Sequence, residues 1–259
     1  MESDPPADAS ADSPAAFPAS LEVAWGLRDR PHKGPKRGLT LDGIVTAAIA
    51  VADAEGIEAV SMSRVAKELG ASTMALYRYV ATKDELVMLM VDAAIGPPVP
   101  LPADATGWRP ALEHWATAMR ESLLTHLWAI PLVAAHGPPV TPNQLAWLDQ
   151  SLQALADTGL GYDEKVAVSL LVSGLVRSEL SLVALMRQDP AGTAQRLAGY
   201  GKFLARVTEN GRLPALRAAV TDGAFDDLDA DLADEADEFD DFAFGLQRAL
   251  DGVAAYLGE

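Results

Sequence analysis

The sequence contains no cysteine, and this absence excludes a disulfide scaffold, thiol catalysis and any metal site with cysteine ligands. It also lacks a long apolar run free of charge. The most apolar stretch, residues 166–186, carries Arg177 and Glu179 near its middle, and such charges would cost several kcal/mol inside a bilayer. The acidic N-terminus has no apolar core of a secretory signal. We therefore expect a cytoplasmic protein without a membrane span.

Catalytic and metal-binding motifs are missing as well. The four histidines are not paired at a metal-binding spacing, and there is no Gly-x-Ser-x-Gly elbow and no glycine-rich phosphate loop. The acidic run from Asp227 to Glu238 has the carboxylate spacing of a calcium loop, but Leu232 stands where the sharp turn needs glycine. The sequence therefore predicts no enzyme, no cofactor and no metal site.

Period-two alternation is absent, so no β-strand is predicted. Helix-length amphipathic segments separated by Gly and Pro predict an all-α protein instead. A proline-rich joint at residues 96–102 separates an N-terminal unit, 39–96, from a larger helical unit, 103–259. The predicted helices are 41–55, 62–69, 73–80, 83–95, 108–127, 129–135, 142–157, 163–187, 191–209, 213–220 and 239–257.

Charge is distributed unevenly along the 259 residues, whose net charge is −17. Residues 1–25 carry five acids and no Lys or Arg, and they are rich in Pro, Ala and Ser, which predicts a disordered acidic tail. Residues 26–83 carry nine basic and six acidic groups, whereas 222–241 carry eleven acids and no base. The acidic stretch 222–238 is interpreted as a mobile loop. Because exposed charges are screened beyond about 8–10 Å, the overall charge does not exclude a nucleic-acid partner.

The strongest local pattern lies between Ser61 and Tyr79. Ser61 is a good N-cap for one short helix, and Ser72 is a good N-cap for a second. Gly70 between them supplies the positive φ that a tight turn needs, and Ala66 is small enough for a close helix crossing. Two short helices joined in this way are typical of a helix-turn-helix.

Two further helices flank the motif, and the one before it completes a three-helix headpiece. Thr40 is a predicted cap for the helix before the motif, and Thr82 with Glu85 forms a capping box for the helix after it. The second helix of the motif carries short hydroxyls and an Arg on its polar face, side chains that reach base edges and phosphates. These are Ser72, Thr73, Tyr77, Arg78 and Tyr79. Double-stranded DNA is the predicted partner; the alternative is a helical small-molecule-binding protein without DNA binding.

Two runs, Leu39–Val45 and Val65–Leu86, resemble the N-terminal domain of the TetR family of bacterial transcriptional regulators, above all in Leu-Tyr-x-Tyr-Val…Lys-x-x-Leu. The runs His126–Ala129 and His136–Asn143, with the Gly159-Leu160 junction, resemble the C-terminal domain of the tetracycline-repressor type. The resemblance implies a homodimeric repressor that a small-molecule inducer releases from a palindromic operator.

The same resemblance implies roles for single residues. It implies that Ser72, Thr73 and Met74 contact bases. It also implies that Tyr77 and Tyr79 contact phosphates or thymine methyls. Lys83 would hold a phosphate at a helix N-terminus. Ser61, Ser63 and Arg64 would touch the backbone or an edge base. The tetracycline repressor has long polar residues where this chain has Ser72 and Thr73, so the operator sequence does not carry over.

A basic segment, 26–38, precedes the headpiece. Its Gly and Pro content argues against a helix. It is either a solvated linker or an arm that enters the minor groove, and the sequence leaves both readings open. The cations that would contact DNA in the second case are Arg28, Arg30, Lys36 and Arg37.

The C-terminal unit is predicted to dimerise and to bind the inducer. The helices 163–187 and 239–257 either form a four-helix interface between two copies or complete the monomer core. Candidate pocket residues are the aromatic and flexible side chains Trp115, Met119, Trp128, His136 and Trp147, each of which could equally be core. Tetracycline itself is not predicted as the ligand.

Overall fold

The computed structural model describes residues 18–27, 39–102, 106–133, 137–225 and 241–259. Within these ranges the regular structure is helical and no strand occurs. The residues form two compact units. The first contains residues up to Pro98 together with Pro131–Asp149, and the second contains Val99–Ile130 together with Gln150–Glu259. The division between Pro98 and Val99 falls within the predicted joint 96–102, while residues 131–149 group with the N-terminal residues.

The first unit is built from short helices around one apolar core. These are α1 Ala19–Ala24, α2 Leu41–Glu55, α3 Met62–Glu68, α4 Thr73–Leu76 and α5 Lys83–Ile95. Helix α2 packs on α3 and α5, and α3 packs on α4. Their shared core is fully buried and contains Ile44, Ala48, Val65, Leu76, Leu86 and Met90. This arrangement contains the predicted three-helix headpiece, α2 to α4, with α1 before it and the predicted helix 83–95, α5, after it.

Polar caps begin the headpiece helices as the sequence predicts. The hydroxyl of Thr40 accepts from the amide of Gly43, and the hydroxyl of Thr82 accepts from the amide of Glu85. The predicted capping box is wrong in its second half, since the Glu85 carboxylate accepts from the amide of Ala81, at 2.6 Å, rather than from Thr82. Glu85 is buried and also accepts from the Ser20 hydroxyl, so its carboxylate is held from two directions.

Helix α1 corrects the prediction of a disordered tail that extends to residue 25. Ser20 and Leu21 on this helix are buried. The Trp25 indole donates to the carbonyl oxygen of Val140, at 2.9 Å. The rest of that predicted tail, residues 1–17, lies outside the described residues.

The second unit holds the longer helices. They are α6 Trp108–Leu124, α9 Tyr162–Gln188, α10 Pro190–Ala198, α11 Tyr200–Val207, α12 Pro214–Thr221 and α13 Asp241–Leu257, while α7 Ile130–Val133 and α8 Pro142–Ala154 have residues in both units. Helix α9 packs against α6 and α13. The single helix predicted for 191–209 is two helices, because Gly199 separates α10 from α11. Most of the predicted acidic loop, residues 226–238, lies outside the described residues.

The two helices proposed for dimerisation differ in burial. On α13 four residues of the apolar stripe are buried inside the second unit, so the stripe completes the core of one chain; they are Phe242, Leu246, Leu250 and Val253. Helix α9 buries one side and exposes leucines on another, Leu170, Leu171, Leu182 and Leu185. Of the two helices, we therefore still expect α9 to form the dimer interface, through its exposed side.

By length and composition alone, α9 is also apolar enough to cross a membrane, as the core helices of water-soluble proteins can be. Its middle carries Glu179, whose carboxylate pairs with Arg120 of α6 at 2.9 Å. Near its N-terminus Glu164 accepts from the Tyr256 hydroxyl of α13, at 2.5 Å. These bonds join α9 to its neighbours in the second unit through polar contacts.

Candidate DNA interface

The turn between α3 and α4 has the geometry that its residues predict. Gly70 adopts a φ of 62°, and the amide of Ala71 donates to the carbonyl oxygen of Ala66 at 2.9 Å. The Ser61 hydroxyl accepts from the amide of Arg64, and the Ser72 hydroxyl accepts from the amide of Ala75. Both helices therefore begin at a hydroxyl cap, and the left-handed glycine closes the turn between them.

Helix α4 is shorter than the predicted 73–80. It ends at Leu76, and in the turn that follows the amides of Tyr79 and Val80 both donate to the Leu76 carbonyl oxygen, at 2.8 and 3.1 Å. Leu76 and Val80 are fully buried, and they hold this segment on the headpiece core. The side chains between them consequently face outward.

The outward face of α4 is apolar and aromatic as well as polar. Met74 is 72% exposed and Tyr77 is 47% exposed, although both are residue types that usually bury much of their surface. Ser72 and Arg78 are also exposed, while Thr73 and Tyr79 are half-buried. An exposed Met and Tyr on a well-packed short helix, with hydroxyls and a cation beside them, form a surface suited to base edges and sugar-phosphate.

Two cations flank this surface without an acidic partner among the described residues. Arg78 follows α4, and Lys83 is the first residue of α5, where the helix N-terminus adds partial positive charge. Both side chains are exposed. They are therefore available to phosphate oxygens.

Arg64 lies near the same surface, but its guanidinium is occupied. It pairs with Glu55 at 2.6 Å and with Glu68 at 2.7 Å, and these carboxylates raise the pKa of Arg64. The hydrogen bond from Arg64 lowers the pKa of Glu55 in return. Ser61 and Ser63, also predicted to touch DNA, have their hydroxyls 3.1 Å apart at the start of α3. The predicted Arg64 contact with DNA would require it to leave two carboxylates.

Residues 28–38 of the predicted basic arm lie outside the described residues, so the DNA contacts of Arg28, Arg30, Lys36 and Arg37 remain an expectation from sequence. The same is true of His136.

The described members of the predicted pocket fall in both units. Trp115 and Met119 are buried on α6 in the second unit, and Trp128 is half-buried with its ring 6.0 Å from that of His126. Trp147 belongs to the first unit, where its indole donates to the carbonyl oxygen of Gly96 at 3.0 Å. This hydrogen bond gives Trp147 a structural role in the first unit, which argues against a role in binding a ligand.

Asp92 is a functional candidate that the sequence interpretation overlooked. It lies near the end of α5, and its Oδ1 accepts from the amides of Asn143 and Gln144, at 2.9 and 3.0 Å, in the first turn of α8. Burial raises the pKa of Asp92, while these amides act in the opposite direction. The signal that could have found it is its isolation, as an acid within the apolar run 86–95.

A capped helix-turn-helix that presents Tyr, Ser, Thr and exposed cations, carried by an all-helical chain, defines a DNA-binding transcriptional regulator. The family model of bacterial regulatory proteins of the tetR family matches residues 44–89, and the model of the tetracyclin repressor-like C-terminal domain matches residues 101–257. The chain belongs to the TetR family. This is a family of regulators rather than of enzymes.

Individual relatives agree with the family. The chain is 35% identical to the HTH-type transcriptional repressor DrrR1 of Streptomyces coeruleorubidus over 246 residues, which cover 93% of this chain and 86% of the relative. It is 27% identical to the class E tetracycline repressor of Escherichia coli over 139 residues, 52% of this chain and 64% of that protein.

A solved structure with the same fold is that of ActR from Streptomyces coelicolor in complex with actinorhodin, with 26% identity and a TM-score of 0.67, covering 86% of this chain and 100% of ActR. The predicted family and all-α fold are therefore confirmed. DNA binding is favoured over the alternative of a small-molecule-binding protein that does not bind DNA.

Proposed function

We propose that the protein is a homodimeric repressor that binds a palindromic operator through α3, α4 and the start of α5, and leaves it when a small molecule binds the second unit. The observation that carries this proposal is the outward face of α4, where Met74 and Tyr77 are exposed on a segment fixed by buried Leu76 and Val80. The protein then acts in the cytoplasm by binding alone, without catalysis.

Within this proposal the side chains divide the recognition task. Ser72, Thr73 and Met74 at the start of α4 meet base edges in the major groove. Tyr77, Arg78 and Tyr79 meet phosphates, sugars or thymine methyls. Lys83 and the amides of the α5 N-terminus hold one phosphate together, since charge and helix dipole act in the same direction there. Ser61 and Ser63 complete the contact at the start of α3.

Arg64 has a positioning role in this proposal rather than a phosphate contact. Its pairs with Glu55 and Glu68 tie the end of α2 to α3 at distances of 2.6 and 2.7 Å. If Arg64 contacted DNA, it would break two charge-assisted hydrogen bonds to form one, and the net gain in free energy would be small. The basic arm, with Arg28, Arg30, Lys36 and Arg37, adds minor-groove contacts if it follows the DNA.

Dimerisation places two such faces on one operator. The leucines exposed on α9 form a surface that a second copy of the chain covers, and α13, which packs on α9, also exposes Phe244 and Tyr256. A two-fold protein then matches the two half-sites of a palindrome.

Release by a ligand needs only a difference in affinity between two conformations. ActR has been crystallised with the small molecule actinorhodin, and the class E relative is a tetracycline repressor by name. For this chain we infer a ligand held near Trp115, Met119 and Trp128. A coupling of about 1–3 kcal/mol would weaken operator binding roughly 5- to 150-fold.

The test is the replacement Tyr77→Ala. It removes an exposed ring without opening the core, so the dimer should stay folded while operator affinity falls by about 1–3 kcal/mol. Binding is measured by fluorescence anisotropy with DNA from upstream of the protein's own gene, and folding by circular dichroism.

Tyr200→Ala, at another exposed tyrosine in the second unit, is the matched control and should bind the operator normally. Wild-type affinity of Tyr77→Ala would show that α4 does not read this DNA.

A further inference from the structure

The chain just before and at the start of α5, where Lys83 would bind a phosphate, has little packing of its own. Residues 81–84 are all exposed, and they lie between Val80 and Glu85, which are both buried. A segment that buries no side chain is held mainly by its hydrogen bonds. The position of Lys83 and of the amides beside it therefore depends on bonds that neighbouring residues make.

Glu85 makes most of these bonds. Its amide donates to the Thr82 hydroxyl at 3.1 Å, and its Oε2 accepts from the amide of Ala81 at 2.6 Å. The other carboxylate oxygen, Oε1, accepts from the Ser20 hydroxyl. Each oxygen of this buried carboxylate thus has a donor of its own, and one of the two donors comes from α1, which precedes the headpiece in the chain.

Loss of the Ser20 hydroxyl would disturb the bond on the other side of the same carboxylate. A buried oxygen without a donor keeps its desolvation cost and loses the bond that compensates for it. Glu85 would regain a partner by turning towards solvent or by sharing the amide of Ala81 between both oxygens. Either change loosens the bond that fixes residue 81. Ser20 is itself buried, so its effect on DNA binding would be indirect.

Helix α1 is anchored at both ends, and this keeps Ser20 against Glu85. A helix of six residues is too short to be stable alone. Leu21 is buried in the first unit, and the Trp25 indole at the other end donates to the carbonyl oxygen of Val140 at 2.9 Å. The hydroxyl of Ser20 is therefore presented to the carboxylate from a fixed position.

We propose that Ser20 is a positioning residue for operator binding, which acts through Glu85 to hold the start of α5 in the geometry that binds a phosphate. This inference rests on the proposed contact between Lys83 and the DNA. Donors that are already ordered bind an anion without an additional entropy cost. Loosening the segment should therefore weaken the contact even though every donor to the phosphate remains.

The first test needs no DNA. Hydrogen–deuterium exchange, followed by mass spectrometry of the full chain, measures the protection of residues 80–86. Ser20→Ala should speed exchange in this segment. Ser173→Ala is the matched control, because it removes a buried hydroxyl that donates within α9 of the second unit, and it should leave the segment unchanged. Unchanged exchange in Ser20→Ala would overturn the proposal.

The second test is a double-mutant cycle with Lys83→Ala, measured by anisotropy titrations of operator DNA at several salt concentrations. Ser20→Ala should weaken binding roughly tenfold, the scale of one hydrogen bond to a charged group, and should lower the magnitude of the salt slope as Lys83→Ala does. Because both changes remove the same phosphate contact, the double variant should bind about as well as Lys83→Ala alone.

A merely structural role for Ser20 gives a different result. It would lower the stability in urea while the salt slope stays at the wild-type value, or the effects of Ser20→Ala and Lys83→Ala on operator affinity would add. Either outcome overturns the proposal. If Lys83→Ala itself binds like wild type, the phosphate contact of the proposed function fails. If Lys83→Ala binds weakly and Ser20→Ala binds normally, only the role of Ser20 is wrong.

Trp25→Phe tests the same idea from the other end of α1. It keeps an aromatic ring but removes the donor to Val140, so it should change the exchange of residues 80–86 and the salt slope in the same direction as Ser20→Ala, and by less. This variant keeps the proposal testable if Ser20→Ala does not fold. In that case, wild-type exchange and slope in Trp25→Phe would contradict the proposal.

Discussion

Lys83 and Arg64 are cations at the edge of the same surface, and their immediate partners separate their roles. Arg64 is held by two carboxylates, whereas Lys83 is exposed at a helix N-terminus and has no acidic partner among the described residues. A phosphate would bind more favourably to Lys83 than to Arg64, because no existing ion pair has to be broken. Sequence position alone does not distinguish the two side chains.

Lys83→Ala should therefore weaken operator binding about equally across sequences. Each phosphate interaction removed should lower the magnitude of the slope of log K against log salt by roughly one, so a dimer that loses one from each copy should show a fall of roughly two. Lys202→Ala, at an exposed lysine on α11 in the second unit, is the control and should keep the wild-type slope. Anisotropy titrations between low and high salt measure both. An unaltered slope in Lys83→Ala would show that Lys83 does not bind a phosphate.

At the scale of the helix, the sequence predicted those features that depend on residues close together in the chain. Helices α2 and α5 have the predicted bounds, 41–55 and 83–95, because Thr40 and Thr82 cap them and glycines follow them. Helix α1 was missed because its burial depends on Glu85 and Val140, which are distant in sequence. The outward face of α4 was predictable from spacing, whereas the engagement of Arg64 by Glu55 was not, because it depends on the packing of α2 against α3.

The junction of α5 with α8 is another long-range feature. Asp92 accepts two amides of α8, the Asn143 side chain donates to the Asp92 carbonyl oxygen at 2.9 Å, and the Trp147 indole donates to Gly96. These bonds join the end of α5 to the first half of α8. A carboxylate at a helix N-terminus also interacts favourably with the helix dipole.

Asp92→Ala should destabilise the protein by about 2 kcal/mol, since it removes a helix cap and leaves two partly buried amides without their acceptor. Asp92→Asn keeps an acceptor oxygen and should cost less. Urea unfolding followed by circular dichroism measures both changes. A destabilisation no larger in Asp92→Ala than in Asp92→Asn would mean that the acceptor oxygen is unimportant.

The wild type and Asp92→Asn should also differ in how their stability depends on pH. Burial raises the folded-state pKa of Asp92 above its ordinary value of 3.8, so the folded state binds this proton more tightly than the unfolded state. Wild type should therefore gain stability relative to Asp92→Asn as pH falls through the raised pKa, with no further gain below 3.8. A difference between the two proteins that stays constant with pH would contradict the raised pKa.

For the whole molecule, a net charge of −17 and DNA binding are compatible because of how the charge is distributed. Exposed Arg78 and Lys83 lie beside α4, whereas the densest acidic stretch, 222–241, belongs to the other half of the chain. Screening within about 8–10 Å makes the local surface decisive for a bound duplex. The unfavourable overall charge acts mainly on the rate of association, most strongly at low salt.

Operator binding by the whole protein should also depend on the exposed side of α9. Leu182 is 54% exposed there, so Leu182→Glu leaves the core of one chain intact but puts a carboxylate into the interface from both copies. We expect the dimer to weaken by about 2–4 kcal/mol. Operator affinity should fall with it, because one headpiece contacts only one half-site.

Light scattering across a dilution series measures the dimer, and anisotropy measures the operator. Leu213→Glu, at a leucine that is 46% exposed before α12, is the matched control and should remain dimeric. If Leu182→Glu stays dimeric at every concentration, the copies meet through another surface, and the leucines of α9 need a different partner. If it becomes monomeric but binds the full operator as tightly as wild type, the pairing of two headpieces on a palindrome is wrong.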